Sequence, residues 1–122
     1  MPELPEVETT RRAIEPLLIG KAAIAVRILN KNLRLPVPKR RLSKIIGQRL
    51  LSVRRRAKYL LLDYETGTVI IHLGMSGTLR VVDRTAALQK HDHVEIDHGP
   101  TKCLRLRDPR RFGMVIWTEK TL

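Results

Sequence analysis

The sequence predicts an α+β chain that is mostly β: a two-sheet β-sandwich of about eight short strands, an N-terminal helix and a second short helix. Three observations predict it. Short β-branched or alternating runs recur from residue 50 onward, with turn residues between them. A single stretch of helical period precedes them. The 122 residues, 43% of them hydrophobic, suit one domain with a modest core. Strand spacing alone also admits a partly closed barrel.

The first helix spans about Pro5 to Leu18. Val7, Ile14, Leu17 and Leu18 fall on one side of it. Pro5 suits a first turn, Glu6 and Glu8 suit the positive end of the dipole, and Gly20 suits the stop. Pro16 is expected to disturb the last turn. Lys21–Leu29 reads as a strand, and residues 30–38 as a turn-rich connection. Lys39–Ile46 reads as a short helix stopped by Gly47. Strands follow at Leu50–Arg54, Tyr59–Tyr64, Thr68–Leu73, Gly77–Val82, His93–Asp97, Cys103–Leu106 and Met114–Trp117. Glu65-Thr66-Gly67 reads as a hairpin turn.

The charge is uneven. The net charge is +12, from 24 basic and 12 acidic residues. Between Pro16 and Leu62 there is no acid, whereas Lys21, Arg27, Lys31, Arg34, Lys39, Arg40, Arg41, Lys44, Arg49, Arg54, Arg55, Arg56 and Lys58 are all basic. A one-sign block inside a folded domain makes a field suited to a polyanion. The bland alternative is a solvated basic face. Aromatic content of 3% argues against a stacking platform for single strands and favours a duplex backbone. No apolar run reaches the roughly 18 residues a membrane span needs. The acidic N-terminus lacks the apolar segment of a signal peptide. The expectation is a soluble, cytoplasmic domain without membrane partners.

Pro2 follows Met1. Removal of Met1 would leave a secondary amine, and an α-amino group with a reference pKa of about 7.7–8.0 is partly neutral near pH 7. Such an amine attacks an aldehyde-like carbon and forms an iminium. Glu3 and Glu6 place two carboxylates nearby, one to act as general acid and one to hold the developing cation. A Pro-Glu helix start also serves as an ordinary cap. With Met1 retained, the Pro2 nitrogen is a tertiary amide and no nucleophile.

Residues 1–8, MPELPEVE, resemble the N-terminus of the bacterial formamidopyrimidine-DNA glycosylase family, which includes endonuclease VIII. The resemblance continues through residues 55–60 (RRAKYL), 72–77 (HLGMSG), 90–93 (KHDH) and 108–113 (DPRRFG), in family order over essentially the whole chain. It implies an N-terminal catalytic domain over residues 1–122, with the catalytic end on the first helix. It implies base-excision repair by a bifunctional glycosylase and abasic-site lyase that removes oxidised purines through a Pro2 Schiff base. Pro2 is then the nucleophile, Glu3 the acid that opens the sugar, Glu6 a supporting carboxylate, and Lys58 a group beside the lesion phosphates that assists turnover. His72 and His91 are implied as phosphate-side contacts. Met75, Arg110 and Phe112 are implied as the side chains that enter the duplex where the damaged nucleotide leaves, a trio closer to the oxidised-purine branch than to endonuclease VIII. The partner is double-stranded DNA with an oxidised purine or an abasic site, met in the bacterial cytoplasm at the nucleoid.

Full-length family members continue into a helix–two-turns–helix domain and a four-cysteine zinc ribbon, which this sequence does not contain. Zinc is therefore expected only in that absent ribbon, and no cofactor in this chain. The face that would meet the missing domain is expected to be exposed, with self-association as a consequence.

Each residue has a plainer reading. Phe112, the single Phe, reads by itself as core. Met75 reads as an apolar turn residue, Asp108-Pro109 as a turn, and Lys58 as one more solvated charge. His91 and His93, spaced to share a strand face near Asp97, His98 and Cys103, raise a metal alternative. The functional alternatives are a non-catalytic basic nucleic-acid-binding fragment and a purely structural fragment. Only the catalytic reading predicts a covalent adduct.

Overall fold

Eight strands form two antiparallel four-stranded sheets in a computed structural model that describes residues 4–119. The elements run α1 (Leu4–Leu18), β1 (Ala23–Ile28), α2 (Lys39–Leu42), β2 (Ser52–Arg56), β3 (Tyr59–Asp63), β4 (Thr68–His72), β5 (Thr78–Asp83), β6 (Asp92–His98), β7 (Lys102–Arg107) and β8 (Met114–Thr118). One sheet has the order β1-β6-β7-β5, the other β2-β3-β4-β8. The strands are antiparallel neighbours throughout, so one face of each packs inward and alternation is preserved. Val26, Val94, Ile96, Leu104 and Leu106 from one sheet join Val53, Leu60, Leu62, Val69, Ile71, Val115 and Trp117 from the other in a single core.

A sandwich has two open sides, and a helix closes each. Helix α1 packs against β2 and β5, the edge strands of opposite sheets. Helix α2 packs against β1 and β8, the edges of the other side. Val7, Ile14 and Leu18 of α1 are buried, but Leu17 is not: it stands one residue off the inward stripe and is exposed. Pro16 does not end α1. The helix continues to Leu18, and Ile19 still donates to the Glu15 carbonyl at 2.9 Å. The helix also blunts the β2 edge. Glu15 accepts from the Val53 amide at 2.9 Å, and Arg11 donates to the Val53 carbonyl at 3.4 Å.

The second predicted helix is shorter than expected. Only Lys39–Leu42 is α-helical, and Ser43–Ile45 continues as a 3-10 turn. Leu42 and Ile45, three residues apart, are both fully buried, which the tighter 3-10 repeat allows.

The outer face of the first sheet is charged and covered. Arg27 bonds Glu95 and Asp97, and Arg105 bonds Glu95 and the carbonyls of Ala86 and Ala87. The loop after β5 is thereby strapped across the sheet, which is why β6 is buried on both faces.

Candidate nucleic-acid interface

Three connections gather the site. The first is the two-residue turn Ala57-Lys58 between β2 and β3, closed by the Arg56–Tyr59 pair. Ala57 adopts φ +52°, a left-handed conformation that lets so short a turn close. Arg55 ties this turn to α1. It donates to Glu8 at 3.1 Å and to the Ala57 carbonyl at 3.1 Å. Glu8 also accepts from Arg11 at 2.7 Å and Arg12 at 2.9 Å. The Arg11 bond, with Arg55 and Arg12 adding to it, pushes the Glu8 carboxyl down to about 2. The second turn of α1 is therefore fastened to the hairpin that carries Lys58.

The second and third connections are the 73–77 loop after β4 and the 108–113 loop after β7. Asp108 is completely buried between them. Its carboxylate accepts from Ser76 Oγ at 2.8 Å and from the Gly113 amide at 2.8 Å. Its carbonyl accepts from His93 Nε2 at 2.9 Å, and its amide donates to the His91 carbonyl at 3.0 Å. The 29–38 connection joins them, because the Arg34 amide donates to the Gly113 carbonyl at 3.1 Å.

Gly74 is where the two loops touch. It sits at φ +66°, and a Cβ there would lie 2.7 Å from the Phe112 carbonyl carbon and 2.8 Å from the Gly113 nitrogen. Gly74→Ala is expected to cost about 1–3 kcal/mol, read as a lower urea midpoint at unchanged slope. An unchanged midpoint would remove this contact from the account.

On this frame Met75, Phe112 and Arg110 face solvent. Met75 is 52% exposed and Phe112 47% exposed, and Arg110 lies over the Phe112 ring at 5.5 Å. Arg34, His72, Gly74, Met75 and Phe112 line a cavity of about 370 Å³ beneath them. His72 is a buried member of that lining. Its Nδ1 accepts from the Gly74 amide at 3.0 Å, so Nε2 carries the ring proton, and Tyr59 meets the ring edge-on at 4.9 Å. Burial, then the positive charges of Arg34 and Lys58, hold the His72 pKa below its usual value. A neutral donor thus sits among cations, the combination that suits an anionic oxygen.

The predicted residues divide clearly. Lys58, Met75, Arg110 and Phe112 stand on these connections, His72 ends β4 beside them, and Glu6 lies exposed in the first turn of α1. Pro2 and Glu3 lie outside the described residues. Taken alone, Phe112 read as core, and its exposure corrects that reading. His91 adopts φ +70° just before β6, beside Lys90, Arg107 and Arg111, where burial and those charges lower its pKa. Arg34 was missed, being one basic residue among many in its block. Asp108 read only as a turn.

The metal alternative falls apart in space. His91 precedes the strand, with its ring centre 6.0 Å from that of His93, whose Nε2 is taken by Asp108. Asp97 is held by Arg27, and His98 bonds Tyr64. Burial and the neighbouring carboxylates push the Cys103 thiol up to about 12. Among the described residues no group of three or more His, Cys, Asp or Glu side chains is placed to hold a metal ion.

Known proteins share this arrangement. The family described as formamidopyrimidine-DNA glycosylase N-terminal domain matches residues 1–115. The formamidopyrimidine-DNA glycosylase of Acidithiobacillus ferrooxidans is 54% identical over 119 residues, covering 98% of this chain and 44% of that protein. That of Stutzerimonas stutzeri is 51% identical over 122 residues, covering 100% and 45%. The crystal structure of Lactococcus lactis Fpg complexed with abasic-site DNA superposes with a TM-score of 0.90 at 30% identity, over 98% of this chain and 45% of that one. The chain thus spans less than half the length of the relatives it matches. The match takes in the helix, both sheets and every connection that builds the cavity, and the chain belongs to the formamidopyrimidine-DNA glycosylase N-terminal domain family.

Proposed function

We propose that this chain carries the catalytic groups of a bifunctional DNA glycosylase and abasic-site lyase for oxidised purines, 8-oxoguanine and formamidopyrimidines, in the bacterial cytoplasm. One observation carries the reading. The exposed Met75, Arg110 and Phe112 crown a cavity whose lining includes Arg34 and His72. Apolar and planar side chains over cationic donors suit a duplex from which one nucleotide has been withdrawn.

The chemistry follows from groups in this chain. Met75 and Phe112 fill the gap left in the stack, and Arg110 donates to the edge of the orphaned base. Arg34, His72 and Lys58 hold the phosphates flanking the withdrawn nucleotide. The Pro2 nitrogen bonds C1′ as the bond to the base breaks, and the electron pair of that bond leaves with the base. Glu3 gives a proton to the ring oxygen, which opens the sugar and leaves an iminium. That electron sink acidifies the C2′ proton, and loss of the 3′ and then the 5′ phosphate leaves a one-nucleotide gap. Glu6 offers a second carboxylate for the cationic intermediate.

Borohydride trapping tests this. A duplex with one abasic site is expected to give a covalent adduct with the chain at low salt. Pro2→Gly should lose the adduct or move it to another amine, and Glu3→Gln should slow its formation. An intact mass showing that Met1 is removed, together with no adduct, would defeat the catalytic reading and leave salt-sensitive binding as the function.

A further inference from the structure

Asp108 is a fully buried carboxylate whose two side-chain partners are neutral: the Ser76 hydroxyl at 2.8 Å and the Gly113 amide at 2.8 Å. Burying such a group is costly, and filling the space with carbon would be cheaper. What the carboxylate adds is direction. One oxygen fixes the end of its own loop at Gly113. The other reaches 32 residues back along the chain to Ser76. Ser76 returns the contact, because its oxygen accepts from the Arg110 amide at 3.1 Å. The Arg111 amide closes the same loop onto the Asp108 carbonyl at 3.2 Å. A single hydroxyl, carried by the loop that bears Met75, therefore makes two hydrogen bonds to the loop that bears Arg110 and Phe112.

We propose that the Ser76–Asp108 bridge is a positioning device that locks these two loops into one rigid unit, so that Met75, Arg110 and Phe112 enter a duplex together. The proposal rests on the reading of those three as a wedge and names what holds the wedge in shape. Two independently moving loops would lose side-chain and backbone freedom on insertion, a loss that a pre-formed wedge has already met in folding. Ser76 and Asp108 touch no DNA in this account. They act through the side chains they place.

Two measurements on Ser76→Ala and Ser76→Thr test it. The first is amide hydrogen exchange in the free chain. Removing the hydroxyl is expected to speed exchange about tenfold at Gly74 and Gly77 on one loop and at Arg111 and Gly113 on the other, none of which bonds Ser76 itself. Ser76→Thr, which keeps the hydroxyl, should return these rates toward those of the unaltered chain. Faster exchange at Arg110 alone would mean a purely local role and would overturn the proposal, as would failure of threonine to restore protection.

The second is the ratio of affinities for abasic-site and intact duplex. It is expected to fall about tenfold in Ser76→Ala and to recover in Ser76→Thr. A ratio unchanged in Ser76→Ala sinks the positioning role while leaving the wedge intact. A ratio near one in the unaltered chain sinks the wedge reading and this proposal with it.

Discussion

Replacing Met75 and Phe112 together by alanine is expected to cut the preference for an abasic-site duplex over an intact one by about ten- to a hundredfold. Fully burying a Met or Phe side chain is worth about 1.5–3 kcal/mol. Each is roughly half exposed in the free chain, at 52% and 47%, so each has about half of that left to gain. Together they supply about 1.5–3 kcal/mol, against an unstacking cost of a few kcal/mol. Losing Phe112 also leaves the Arg110 guanidinium without the ring 5.5 Å below it. The salt dependence of binding, set by cations such as Arg34 and Lys58, should keep its slope, because phosphate neutralisation does not use these side chains. The half already buried in the free chain is lost as well, so the double variant should be less stable by about 1–3 kcal/mol, which a urea titration reads separately from binding. Competition binding at two salt concentrations is the measurement. A double variant that keeps the full preference would show that the duplex is not opened here.

That pair also shows where sequence reading succeeds and fails. Alternation in a strand is local, so β3, β4, β6 and β8 are legible from their own residues to within a residue or two at each end. The pairing of α1 with β2 and β5 is not local, and nothing in the helical stripe says which edges it closes. Leu17 shows the limit of the stripe itself, since one position of offset turns a leucine outward. Composition argues that a single Phe belongs in the core, and for Phe112 that argument fails. Its exposure comes from a loop held by Asp108 and Ser76. Arg34 fails for another reason. Thirteen cations stand in one acid-free block, and the structure pairs Arg27, Lys44, Arg49, Arg54 and Arg55 with acids from outside it. Arg34 reaches the cavity through its own backbone instead, whose amide donates to the Gly113 carbonyl. The motif blocks carry the loop context that composition lacks.

Acidification from pH 7 to pH 5 is expected to cost the fold about 2 kcal/mol through His98 alone. The ring is completely buried among the ends of the two sheets. Its Nδ1 proton goes to the Ile96 carbonyl at 3.2 Å, and Nε2 accepts from the Tyr64 hydroxyl. The neutral ring is therefore fully satisfied. A second proton would put charge in the core and would require the Tyr64 hydroxyl to turn from donor to acceptor. Burial pushes the His98 pKa down to about 4, although the Ile96 carbonyl and Asp97 partly oppose this. The unfolded chain titrates near 6.5. Between those values the unfolded state binds more protons than the folded one, so stability falls as pH drops through the window. Most of that loss falls between pH 6.5 and 4. Asp63, Asp92, Glu95 and Asp97 act lower down. Burial opposes their ionisation, yet their arginine, hydroxyl, thiol or amide partners hold them below the usual carboxylate range, and their contribution is lost as pH falls through those lowered values. Measuring at pH 5 and above therefore separates the imidazoles from the carboxylates; His72 and His91, also held below their usual pKa, add drops of the same sign, and a His98 variant removes only the His98 share. For a domain stable by roughly 5–15 kcal/mol the change is large. His98→Gln, which can still bond Tyr64, should flatten the dependence of the urea midpoint on pH between 7 and 5, and the His98 ring should show no titration above pH 5 by NMR. Equal slopes in the two proteins would mean that His98 is not the buried acid sensor of this fold.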